Sequence, residues 1–145
     1  MRDALLPPIT NMQYRGAPAA AWLLAMLGVL TVVPGAIHVF LPDGGAGVIA
    51  GIDLGPCGPA IIALFAWAGA TQIALGLVML AVALRYRPLV PLLLAVVLLE
   101  RALHAINAWA WKGGSGHHPP EHYAVLVGLP LIAAGLWASL RNARP

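Results

Sequence analysis

"PAIIALFAWAGATQIALGLVMLAVAL", residues 59–84, is a run of 26 residues without one charged side chain. Its only polar side chains, Thr71 and Gln72, stand near its centre. At a rise of about 1.5 Å per residue it is long enough to cross a hydrocarbon layer roughly 30 Å thick. Three more runs of this kind follow from the sequence, at residues 19–41, 89–111 and 123–140. The whole chain agrees with this reading. It has 145 residues, 61% hydrophobic and 9% charged, with a mean hydropathy of +0.86. Soluble domains carry roughly 25% charged residues and under 50% apolar ones. A soluble chain this short would lack the polar side chains to cover its surface, so the solvent is lipid. The expectation is one all-α domain over residues 1–145, a polytopic antiparallel four-helix transmembrane bundle.

The links carry the next information. "RYRP" is short, "KGGSGHHPPEH" is rich in glycine and proline, and "PDGGAGVIAGIDLGPCG" is the longest. Within that first link "AGVIAGIDL" is too short to span and reads as a turn of helix or a re-entrant piece. Asp53 is its acid, suited to capping a short helix or approaching Arg101 or His104. The first span reads as retained rather than cleaved, because its apolar run exceeds the ~7–15 residues of a signal h-region and no A-x-A site follows. Cys57 is single, so no intrachain disulfide forms, and it reads as a small apolar residue.

Basic residues near helix ends set orientation. Arg2, Arg15, Arg85, Arg87, Arg141 and Arg144 all fall on one side of a four-span bundle, whereas the other side carries Lys112 with Asp43, Asp53 and Glu121. Both termini are therefore expected in the cytoplasm of a bacterial inner-membrane protein, with the first and third links facing the periplasm. The net charge of +3 sits in these flanks and is not a nucleic-acid signature. Tyr86, Trp109, Trp111, Tyr123 and Trp137 suit an interfacial belt.

"LLERALHAINAW", residues 98–109, places an acid and a base near the middle of the third span. Taking Glu100 as the origin at 100° per residue, His104, Asn107 and Trp111 fall at about 40°, −20° and 20°. They make one stripe running outward, with Arg101 on a different face. Thr31, Thr71, Gln72, Glu100 and Arg101 are expected to share a polar layer, with His38 and His104 above it. Adjacent helical residues diverge, so Gln72, Thr71 or His104 are better partners for Glu100 than Arg101 is. A charge at the bilayer centre costs ~2.5–3.5 kcal/mol on insertion scales, which turns such groups inward. His38, Gln72, Glu100, Arg101, His104 and Asn107 therefore line an outward-facing ligand pocket, or Glu100 and Arg101 form a structural clamp with Gln72.

Within residues 117–122 stand His117, His118, Glu121 and His122, a donor set suited to zinc or copper. "HPPEH" also matches the H-x-x-E-H pattern of inverted zinc peptidases. That chemistry needs a continuous helix, and Pro119 disfavours helical geometry at His118. Pro119 and Pro120 instead suit the start of the fourth helix, with Glu121 at its positive end. The alternative is an ordered polar lid with interfacial histidines. In the second span Gly69, Ala70, Ala74 and Gly76 allow close helix packing, and Pro34 is placed to kink the first.

The four spans, the arginine in the third, the link "GGSGHHPP" and the apolar fourth span resemble the small four-helix bacterial membrane proteins related to the DoxX group. The likeness covers Pro59 to Leu140 and leaves "IHVFLPDGG" and "PPEHY" without counterparts. It implies the fold but no catalytic residue. "ERALHAIN" is similar to the E-R-x5-N run of membrane glutathione-transferase-like proteins, which lies earlier in that bundle among basic residues this chain lacks. The functional expectation is a binding or accessory subunit rather than an enzyme. Its partners are the lipid bilayer and a membrane protein or second copy, with no nucleic acid. The alternatives are a small membrane enzyme acting on a lipid-like substrate, with Glu100 or His104 as acid or base, and a periplasm-facing metal-binding protein.

Overall fold

The structure is a computed structural model that describes residues 5–112 and 116–141. Arg2, Arg144 and residues 113–115 of the third link lie outside them. Four long helices form: α1 (Pro18–Phe40), α2 (Gly58–Arg85), α3 (Val90–Ile106) and α4 (Pro120–Leu140). A π-helical turn, Asn107–Trp111, continues α3. All four stretches are long and apolar enough to cross a membrane. Each begins with a proline in its first turn, at Pro18, Pro59, Pro91 and Pro120. There the missing N–H costs nothing and the fixed φ favours entry into the helix. No N-cap side chain bonds to any of these helices, so the prolines carry the start signal.

Helix ends α1-start, α2-end, α3-start and α4-end gather at one end of the bundle, together with the segment that precedes α1. The backbone N–H of Ala17 donates to Ala138 O at 3.3 Å, and that of Thr10 donates to Arg85 O at 3.1 Å. Asn11 clasps the α2–α3 turn, donating from Nδ2 to Leu84 O at 2.7 Å and accepting the Arg87 N–H at 3.2 Å. The Tyr86 hydroxyl donates to Pro7 O at 3.0 Å. The principal core lies in this half. Leu24, Met79, Val90, Leu94 and Ile132 are its largest wholly buried side chains, surrounded by Ala20, Ala21, Val82, Ala83 and Val97.

α1 and α2 run against each other through glycine. A Cβ on Gly69 would lie 2.6 Å from Gly35 O, and one on Gly76 would lie 2.8 Å from Gly28 O. The glycines are spaced by seven residues in both helices, so two antiparallel contacts form in register. α3 and α4 make a second hairpin. It meets α1 near the termini, where Gly135 lies against Leu23. Large apolar side chains remain exposed along every helix, among them Trp22, Leu30, Leu64, Trp67, Leu77, Leu92, Leu99, Val127 and Trp137. In water such a surface would be untenable for a monomer; in a bilayer it is the solvent-matched exterior.

Before residue 55 the first link forms single helical turns rather than a regular helix, with the N–H groups of Ile49 and Gly51 donating to Gly45 O and Gly47 O, both at 3.1 Å. It is a succession of turns over residues 41–50, followed by a 3-10 turn at Gly55–Cys57. Asp43 organises it by accepting the N–H of Val48 at 2.8 Å, Gly45 at 2.8 Å and Gly47 at 3.1 Å. These three donors, Val48 foremost, hold the Asp43 carboxyl below its ordinary range. Asp53 accepts the Gly55 N–H at 3.2 Å and so fixes the turn into α2. Pro34 lies inside α1 without ending it.

Candidate functional site

In the half away from the termini the two hairpins diverge and leave a cavity of about 1580 Å³. One wall comes from α1 and α2, which the Gly35–Gly69 contact sets side by side. Gln72 Cβ lies beside Gly35, and His38 Cβ lies over Gly69. Thr31, Gln72 and His38 therefore rise along this wall, and all three line the cavity. Thr31 is buried, its hydroxyl donating to Leu27 O at 2.8 Å. His38 stands edge-on to Phe65, with ring centroids 5.0 Å apart, and its Nδ1 lies 2.7 Å from Gly44 O. A carbonyl only accepts, so Nδ1 carries the proton and the neutral ring's Nε2 is an acceptor. Pro34 has no N–H, which deprives the Leu30 carbonyl of its i+4 donor on the same wall.

The facing wall comes from α3 and α4. Val90, Leu94 and Val97 turn inward in the core, and the same stripe continues as Arg101, His104 and Ala108. This packing sets the rotation of α3. Arg101, rather than Glu100, faces the cavity, and Trp111 is 70% exposed. Glu100 does pair with its neighbour, contrary to the expectation from a 100° step: Arg101 Nε lies 3.0 Å from Glu100 Oε2. The long arginine stem reaches back over the turn. Arg101 Nη1 lies 3.4 Å from Glu121 Oε1, which ties α3 to the first turn of α4. Thr71 is turned away as well, exposed and donating to Ala68 O at 2.7 Å, so it belongs to the lipid face and not to the polar layer.

At the outer end Asn107 lines the cavity and donates to Leu103 O at 2.9 Å as the helix widens into its π turn. Trp109 stacks on His118 with centroids 4.0 Å apart and donates from Nε1 to His122 O at 3.3 Å. His122 stands edge-on to both His104 and His118, at 5.6 and 5.4 Å. The Nδ1 atoms of His118 and His122 are 3.1 Å apart, so one donates to the other. His117 reaches elsewhere. Its Nε2 lies 2.8 Å from Ala50 O, and this bond joins the first and third links. Of the three expected metal ligands, His118 and His122 are thus adjacent while His117 bonds to the other loop. Among the described residues no three His, Cys, Asp or Glu side chains are grouped to hold a metal ion.

Of the expected pocket residues, His38, Gln72, Arg101, His104 and Asn107 line one cavity, and Glu100 supports it from behind through Arg101. Thr31 of the expected polar layer, residues 49–53 of the first link with Asp53 among them, and Gly128 of α4 line it as well. The fold and this cavity define a class: a four-span membrane protein with a largely apolar, partly open cavity between its helices. Comparison with known families, curated proteins and solved structures gives no match.

Proposed function

We propose that this chain is a membrane binding protein that takes an amphipathic, lipid-like molecule into its cavity from the side, between α1 and α4. The observation that carries this reading is the distribution of the cavity's lining. Its lower part is hydrocarbon, with Leu23, Leu27, Val97, Val125 and Ile132, and its polar side chains gather from Thr31 upward to the two links. Along its α1 and α4 margins stand Met26, Leu30, Val127 and Leu131, all of them exposed. Small-molecule sites occupy about 300–1,000 Å³, and this chamber is larger.

The test uses purified protein in nanodiscs with a fatty acyl probe carrying a mid-chain diazirine. Photolysis should label cavity residues such as Leu27 and Val125. A Cβ on Gly128 would meet nothing closer than Ile132 Cδ1 at 4.0 Å, so Gly128→Phe fills the chamber without forcing the backbone. It should cut that labelling about tenfold, the scale of a lost well-fitted apolar contact. Labelling confined to outer residues such as Trp67 and Leu77, unchanged by Gly128→Phe, would overturn the reading.

The charge asymmetry supports an inner-membrane orientation with the termini in the cytoplasm and the cavity in the outer half of the bilayer. Arg15, Arg85, Arg87 and Arg141 stand at the end of the termini, against Lys112 with three carboxylates at the other. Reporter fusions ending at Arg85 and at the C-terminus should read cytoplasmic, and fusions ending at Gly45 and Gly114 external. A cytoplasmic signal at Gly114 would reverse this orientation.

A further inference from the structure

The polar groups facing the cavity are unevenly matched. Arg101 and Asp53 already have partners. Arg101 lies within salt-bridge distance of Glu100 and Glu121, and Asp53 accepts a backbone N–H. Lys112 lines the cavity with no carboxylate within salt-bridge distance among the described residues, but it is exposed at the rim. The acceptors are another matter. Gln72 Oε1 is buried with no hydrogen-bond partner. His38, held by Gly44 O through Nδ1, turns its remaining nitrogen into an acceptor. Both belong to one wall, brought together by the Gly35–Gly69 contact, which sets Gln72 and His38 about one helical turn apart.

A buried acceptor without a donor costs roughly 1–3 kcal/mol, and that cost is recovered by whatever donates to it. We infer that the cavity selects a neutral amphiphile with a free hydroxyl, whose O–H donates to the wall formed by Gln72 and His38 while its tail lies among Leu23, Leu27 and Ile132. This inference rests on the binding reading above and adds the headgroup. A hydroxyl suits the Gln72 amide in particular, because it can donate to the carbonyl and accept from the amide nitrogen together. An anionic head finds its candidate cation, Arg101, already engaged by two carboxylates. A cationic head finds both of those carboxylates engaged by Arg101.

The experiment is competition against the diazirine probe by three lipids that share their tails. These are 1,2-dioleoylglycerol, its 3-O-methyl ether and 1,2-dioleoyl phosphatidic acid. The expected result is that the alcohol competes about tenfold better than the ether, the worth of one satisfied buried hydrogen bond, and better than the phosphate. In Gln72→Leu the alcohol should fall to the level of the ether, while the ether itself is unchanged. Equal competition by alcohol and ether in the unmodified protein overturns the inference and leaves the cavity reading standing. So does competition led by phosphatidic acid, which would point to Lys112 and a charged head. If none of the three competes and Gly128→Phe has no effect on labelling, both readings fall together. The alcohol-to-ether ratio of the unmodified protein needs no variant, so a Gln72→Leu protein that did not fold would still leave a decisive measurement.

Discussion

Replacing Gly69 with leucine should unfold the α1–α2 hairpin. The first carbon added there would lie 2.6 Å from both Gly35 O and His38 Cβ, and neither is the free end of a flexible chain. α1 has to move outward bodily. Overpacking a well-filled contact costs about 1–3 kcal/mol, and more where backbone is the obstacle, so a loss above about 3 kcal/mol is expected. It should appear as a collapse of the melting transition in mild detergent, followed by tryptophan fluorescence. Gly35→Leu should behave in the same way, since its Cβ would lie 2.8 Å from Gly69 O. Gly128→Ala, also a glycine within a span but beside open space, should melt like the unmodified protein. A Gly69→Leu protein as stable as the Gly128→Ala control would mean that the helices do not cross at these glycines.

Arg101→Met is expected to be the next most damaging single change. Its side chain is only 19% exposed and neutralises two carboxylates. Glu121 is 43% exposed at the start of α4, where water and the helix dipole still support it. Glu100 is the partner left stranded: its side chain is just as exposed, at 43%, but it stands inside the span α3, away from any helix N-terminus, and its Oε2 is buried. Breaking a wholly buried pair costs about 3–5 kcal/mol; with the carboxylates partly exposed, about 2–3 kcal/mol is the expected loss. Glu100→Gln should cost less, near 1 kcal/mol, since Arg101 keeps Glu121. The double variant should regain most of what Arg101→Met loses. Detergent melts of the two single variants and the double variant measure this coupling, and strictly additive losses would show that Glu100 and Arg101 act independently.

The spans were legible because length and hydropathy alone define them, and their limits moved by only a few residues. α4 begins at Pro120 rather than residue 123, where a proline in the first turn costs nothing. The glycine crossing was half legible. Gly69 and Gly76 stood out as small residues, but Gly28 and Gly35 carry the same spacing of seven, and it is the matching interval in both helices that makes a contact. The polar layer was legible in type and less so in rotation. Thr71 and Gln72 are one step apart, and a 100° turn divides lipid from cavity. On α3 a phase set from Glu100 puts Arg101 off the cavity face. The apolar stripe through Val90, Leu94 and Val97 would have set it correctly, because its continuation is Arg101, His104 and Ala108. The bond from His117 to Ala50 O had no signal in the sequence, since it depends on where two irregular links come to rest.

The grip of Asn11 on the α2–α3 turn also has a meaning for biosynthesis. Its two partners, Leu84 and Arg87, lie 73 and 76 residues further along the chain. The segment before α1 therefore leaves the ribosome well before its partners and finds its binding surface only after α2 and the next turn have been made. Until then these two bonds of Asn11 have no partners. Its docking closes the first hairpin and at the same moment fixes the point from which α3 must depart, so one asparagine links the completion of one insertion step to the aim of the next.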